Sequence, residues 1–292
     1  MSSARFRGAS RRLLPSSLVP RSSVQSAPRP FSSLGSGLFN PTVAWITTRA
    51  TLGRRRALLF AVPAVVLILL TAALKATRAP VLPWPSHVLG TFGFSVLLPL
   101  TALIIGTSVL GAEIDDGSIV HLLATPVRRS SVVATKFGVA TGLTVLFAAV
   151  PELIAALIAG GGSTPPPSGH GDLVAVSTGQ LAIGLFVGAL ACSVIYNAVF
   201  VMISVATTRA IAVGLLYVLV WEALLANFVG GARLLSVSHY GLGIASGFVA
   251  DPALQAGLNV LTSVVMGIIV TAAALLLAAS LLSSFTIQGE PA

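Results

Sequence analysis

Apolar residues in this chain do not alternate with polar ones but come in long unbroken runs separated by short polar stretches. A helix needs roughly 20 mostly apolar residues, at 1.5 Å each, to cross a hydrocarbon layer about 30 Å thick. Runs of about that length lie at residues 57–73, 88–110, 133–159, 179–206, 210–229 and 260–282. No water reaches backbone amides inside a bilayer, so each run is predicted to be helical, and the runs are too long for barrel strands. The pattern predicts an all-α membrane protein with six transmembrane helices.

Composition agrees with the pattern. Only 9% of the 292 residues are charged and 55% are hydrophobic, which excludes a water-soluble globule with one core behind a polar surface. Basic residues are retained on the cytoplasmic side of a membrane, so they set the orientation. With both termini inside, only Lys75, Arg78 and Arg233 of the 17 basic residues fall outside. The same asymmetry accounts for the net charge of +9, and nucleic acid is not expected as a partner because no soluble basic domain exists to bind it. The single cysteine, Cys192, lies inside the fourth run, where it reads as a small packing residue and can form no intramolecular disulfide.

Residues 1–38 are basic, rich in Ser, Pro and Arg, free of acids, and expected to be disordered. They have no apolar run long enough for a secretory signal, although their composition also suits a mitochondrial transit peptide. The strong preference for Arg over Lys, with abundant Ala, Gly and Val, favours a GC-rich bacterial genome and hence a bacterial plasma membrane. Next, in FNPTVAWITTRATLGRRR (39–56), Asn40 can cap a helix and Pro41 suits its first turn. Val43, Trp45, Ile46 and Ala50 fall near one side, so an in-plane amphipathic helix is expected before the first span. Residues 230–255 are moderately apolar with several glycines and suit short re-entrant helices; residues 284–292 form a short cytoplasmic tail.

Charge is concentrated in AEIDDGSIVHLLATPVRRSS (112–131), between the second and third runs. Asp115 or Asp116 with Ser118 suits a helix N-terminus, and Ile119, Leu122 and Leu123 give that helix an apolar face. Pro126 stops it, while Arg128, Arg129 and Lys136 hold the next span's base at the inner surface. The expected product is a short stiff cytoplasmic helix able to receive force from a soluble partner.

The pattern Glu113, Gly117, Ser118, Leu122, Leu123, Pro126, Arg129, Lys136 resembles the first cytoplasmic loop of ABC-2-type transporter permeases. The resemblance spans residues 39–283. It implies a six-span permease domain with an in-plane N-terminal helix, working as a homodimer or heterodimer with a second permease. It also implies a separate nucleotide-binding (ATPase) subunit that carries ATP and Mg, touched by a coupling helix through Glu113, Asp116, Gly117, Ser118, Leu122, Leu123 and Pro126. The basic tail departs from the family pattern. No phosphate-binding Gly-x-x-x-x-Gly-Lys-(Ser/Thr) loop occurs in this chain, so no ATPase site, bound cofactor or catalytic residue is expected on it.

Two acids interrupt the runs: Glu152, after Pro151, and Glu222, after Trp221. An acid mid-membrane costs roughly 2.5–3.5 kcal/mol on insertion scales, so each must face protein or water. They are candidates to line an outward translocation cavity with Pro151 and Asn227; the alternative is that both are protonated, or hydrogen-bonded to Ser, Thr, Asn227 or Tyr hydroxyls, for purely structural reasons. A proton-coupled secondary transporter using the two acids is a rival reading, and a passive membrane scaffold is another. An intramembrane hydrolase or metal site is disfavoured, because His87, His121, His170 and His239 all fall in loops or at edges.

Overall fold

The computed structural model describes residues 41–77, 84–115, 129–164, 174–228, 230–249, 251, 254 and 257–284. The expected N-terminal tail (1–38), the C-terminal residues 285–292 and the loop residues 116–128 lie outside the described residues.

The described chain is helical apart from one small hairpin. Helix α1 covers Pro41–Thr51 and α2 covers Arg54–Ala76. Helix α3 runs from Trp84–His87 through a π segment, Val88–Leu97, into Leu98–Asp115. Helix α4 joins Arg129–Thr144, a π segment at Val145–Ala149, and Val150–Ala159. Strands β1 (Gly162–Thr164) and β2 (Val174–Val176) then pair antiparallel, with Ser163 opposite Ala175. Helix α5 is Thr178–Ala206; α6 joins Ala210–Leu216, a π segment at Tyr217–Leu225, and Ala226–Phe228. A 3-10 turn, Gly230–Leu235, leads to α7 (Val237–Ala245), and α8 is Val260–Ser284.

Five of these helices, α2, α3, α4, α5 and α8, are long and apolar enough to cross a membrane. The fifth expected run instead forms α6, a shorter apolar helix over Ala210–Leu225. At 1.5 Å per residue it covers roughly 24 Å of a layer about 30 Å thick.

Helix α5 is the centre of the bundle. Its start carries a capping box: Ser177 Oγ accepts from the Gln180 N–H (3.2 Å), and the Ser177 N–H donates to Gln180 Oε1 (3.1 Å). Beyond the cap, Leu181, Leu185, Cys192, Tyr196 and Phe200 are buried as α5 packs against α3, α7 and α8. The close approach of α5 to α7 depends on missing side chains. A Cβ on Gly188 would stand 2.5 Å from the Gly241 carbonyl, and the Phe94 ring of α3 fills the slot beside both glycines. Helices α2, α6 and α8 expose Leu58, Leu69, Ile211, Leu216, Ile268 and Leu276, as lipid-facing surfaces do.

Helix α1 forms where expected, but packs by its small polar side. Thr47 and Thr51 are buried as α1 lies along α4, while Trp45 and Ile46 point outward. A helix packed on protein along one side leaves its other side outward, so its apolar residues need not face the protein.

Candidate functional site

Polar groups buried in an apolar bundle need partners, and they gather at a few places here. Asn197 of α5 donates to Thr144 Oγ1 of α4 (2.8 Å) and to the Ser193 carbonyl (2.7 Å). Lys136 of α4 is fully buried and donates to the Val109 carbonyl of α3 (2.8 Å), tying the two helices beside the loop that joins them.

Glu222 sits in the π segment of α6 with no exposure to solvent. Its Oε2 accepts from the hydroxyls of Ser236 (2.6 Å) and Ser238 (2.7 Å) and from the Ser238 N–H (3.4 Å). Its Oε1 accepts from the Val237 N–H (2.8 Å) and the Tyr217 hydroxyl (3.2 Å). Val237 and Ser238 open α7, so the carboxylate occupies the positive end of that helix and satisfies amides that have no intrahelical partner. Ser236 is the cap of α7 and lies 2.8 Å from His239 Nδ1. Having given its one proton to Glu222, its lone pairs are left for an Nδ1–H. Burial lowers the His239 imidazole below its ordinary value, with the Glu222 charge opposing and Arg233 adding to the shift. The turn before α7 is clamped as well: Trp221 Nε1 donates to the Leu235 carbonyl (3.1 Å), and the Tyr240 hydroxyl donates to Leu234 O. The whole arrangement is a latch between α6 and α7.

Glu152 of α4 has a different setting. It is buried, it follows Pro151 and a π segment, and its Oε1 has no hydrogen-bond partner. The carboxyl lies flat against Gly93 in the π segment of α3, where an added Cβ would meet Oε2 at 2.5 Å and Oε1 at 2.7 Å. Beside it, a crevice between α2, α3 and α4 offers a water-sized group about 10 Å³; its lining includes Pro63, Gly93, Thr101, Pro151 and Glu152. Proline brings no N–H, so Pro63 and Pro151 each leave a carbonyl of their helix short of a donor near this crevice.

Over residues 52–222 the chain matches the family model described as ABC-2 family transporter protein. That stretch begins at the end of α1, takes in α2 to α5, and ends on Glu222 itself. The chain belongs to the ABC-2 transporter family. No curated protein matches it. With its apolar crossing helices, this ABC-2 protein is a multi-pass membrane transporter permease.

Within the permease, Pro151 and Glu152 share the crevice lining, and Glu222 is not part of it. Cys192 of α5 lies within electrostatic reach of both carboxylates. Asn227 is in the short last segment of α6, after the family match ends. Glu113 is in the last turns of α3. Asp116, Gly117, Ser118, Leu122, Leu123 and Pro126 of the expected coupling helix lie outside the described residues. Sequence reasoning passed over Gly93, Asn197, Ser236 and Ser238. Ser236 carried a readable signal, a serine directly before an apolar helical stretch; Gly93 carried none, because its partner is 59 residues away.

Proposed function

We propose that this permease is the membrane subunit of an ATP-driven exporter in a bacterial plasma membrane, with six crossings, both termini cytoplasmic, and ATP and Mg held by a separate nucleotide-binding subunit. The observation that carries the reading is the ABC-2 family match over helices that are themselves long and apolar enough to cross the bilayer. A homodimer or a heterodimer with a second permease fits equally. Glu113, Asp116, Gly117, Ser118, Leu122, Leu123 and Pro126 form the contact with the ATPase, and Lys136 with the Val109 carbonyl passes the motion into α3 and α4. A partner whose ATP-bound form prefers one arrangement of this loop biases the spans toward an outward-open state. Pro151 and Glu152 border the translocation path, and Glu222 and Asn227 join it when the α7 latch opens.

The test is isolation of the full chain in mild detergent and identification of a co-purifying ATPase with a phosphate-binding loop. Gly117→Pro should abolish that association or leave ATP hydrolysis uncoupled from transport. A Gly117→Pro protein with full transport, or a chain that transports on a proton gradient without any ATPase, would overturn the reading.

A further inference from the structure

We propose that Glu152 is a proton-binding site: in this packing its carboxyl is held as the neutral acid, and it exchanges one proton with water as α2, α3 and α4 part. The inference deepens the transport reading above, on which the parting of the helices rests. Its basis is the contrast between burial and compensation. A buried carboxylate is tolerated when donors or a counter-charge replace its water; among the described residues Glu152 Oε1 has no partner and the crevice lining holds no basic side chain.

Among the described side chains, the charged and titratable groups on the packed helices are engaged or distant. Lys75 of α2 donates to the Ile158 carbonyl (2.5 Å), well over a turn beyond Glu152. His87 of α3 is exposed at the start of that helix, and Lys136 of α4 is bonded to Val109 near its other end. On α5, Cys192 lies within electrostatic reach of Glu152 and gives its thiol to the Val237 carbonyl (3.3 Å), while Tyr196 interacts electrostatically with Glu222; on α6, Tyr217 gives its hydroxyl to Glu222, which is itself occupied by α7.

A metal cation fits poorly. Among the described residues, Glu152 and Thr101 are the only polar side chains lining the crevice, and the Thr101 hydroxyl is given to the Leu97 carbonyl (2.8 Å). Hard cations take about six or more oxygens, and about 10 Å³ admits one water rather than a hydrated ion. The helices around the acid are built to yield: α2 carries Pro63, α3 and α4 carry π segments, and Pro151 precedes Glu152. On opening, the carboxyl O–H bond breaks with its electron pair left on oxygen, and the proton leaves to water as hydronium. Closure reverses the step, because the Gly93 seat accepts the neutral acid and not the bare anion.

Difference infrared spectroscopy of the full chain in lipid nanodiscs tests this without any ATPase, so its outcome is independent of the partner experiment. In neutral buffer the wild type should show the carbonyl stretch of a protonated carboxyl. Glu222→Gln should keep that band, and Glu152→Gln should lose it. Glu152→Asp, which retains the acid on a shorter arm, should displace the band, and serves if Glu152→Gln does not fold. A wild type with no such band in neutral buffer, or a band that survives in Glu152→Gln and is unmoved in Glu152→Asp, overturns the proposal.

Discussion

Glu222 interrupts an apolar helix within a π segment and Glu152 just after one, yet the chain surrounds the first with five donors and leaves Oε1 of the second without a partner. Tyr217 of α6 supplies one donor and the capped start of α7 the other four; the free N-terminal amides of α7 need an acceptor as much as the carboxylate needs donors. Glu152 meets no helix end. It meets the side of α3 at Gly93, where intrahelical bonds already use the backbone groups and no side chain projects. An acid at a helix terminus becomes a fastening, and an acid against a helix flank keeps its proton chemistry available.

Removing the fastening should have the largest effect. Glu222→Ala removes the acceptor of the Val237 and Ser238 N–H groups and of the Tyr217 hydroxyl, whereas the Ser236 and Ser238 hydroxyls can still turn to each other and to His239 Nδ1. At about 1 kcal/mol or more for each stranded donor, a loss of roughly 3 kcal/mol is expected. The measurement is the thermal-unfolding midpoint in detergent, together with hydrogen exchange of α7; unchanged α7 protection would mean that the latch does not hold the helix.

A smaller effect is expected at the other acid. Gly93→Ala puts a methyl within 2.5 Å of Glu152 Oε2, an overpacking worth about 1–3 kcal/mol. Combining it with Glu152→Ala should recover most of that loss, since the clash then has no second party. Additive penalties in the double variant would show that Gly93 and Glu152 are not seated on each other.

Acid pH should act on the latch more weakly still. Burial depresses His239 from its ordinary value of 6.5, so between the folded value and 6.5 the unfolded chain binds more protons than the folded one. The stabilisation is therefore complete above about pH 6.5 and is lost as pH falls through the folded value. Protection of the α7 amides, corrected for the slower intrinsic exchange at low pH, should fall on acidification in the wild type and respond less in His239→Gln. Equal slopes in the two proteins would remove His239 from the latch.

Much of the architecture was legible in the chain. The runs at 57–73, 88–110, 133–159, 179–206 and 260–282 overlap the five helices able to cross a membrane, because the cost of an unbonded amide in lipid leaves an apolar run little choice but helix. The Ser177 and Gln180 box at the start of α5 is also local, but it was recognised only in the structure. The length of α6 was less legible, since its helix stops at Phe228 and the chain turns into Gly230–Leu235 to deliver Ser236 and Ser238 to Glu222. The apolar side of α1 was legible, but which side meets protein was not: packing against α4 buries Thr47 and Thr51.

By itself the sequence determined that the chain is a helical membrane protein, where most of its crossing helices lie, and that two acids had to be accommodated among them. Those are consequences of composition and of a backbone that must satisfy its own hydrogen bonds in lipid. Tertiary structure alone decided that Glu222 meets the N-terminus of α7 while Glu152 meets the bare flank at Gly93. The reason is physical: the state of a buried carboxyl is set by the donors within about 3 Å of it, and those come from residues far away in sequence.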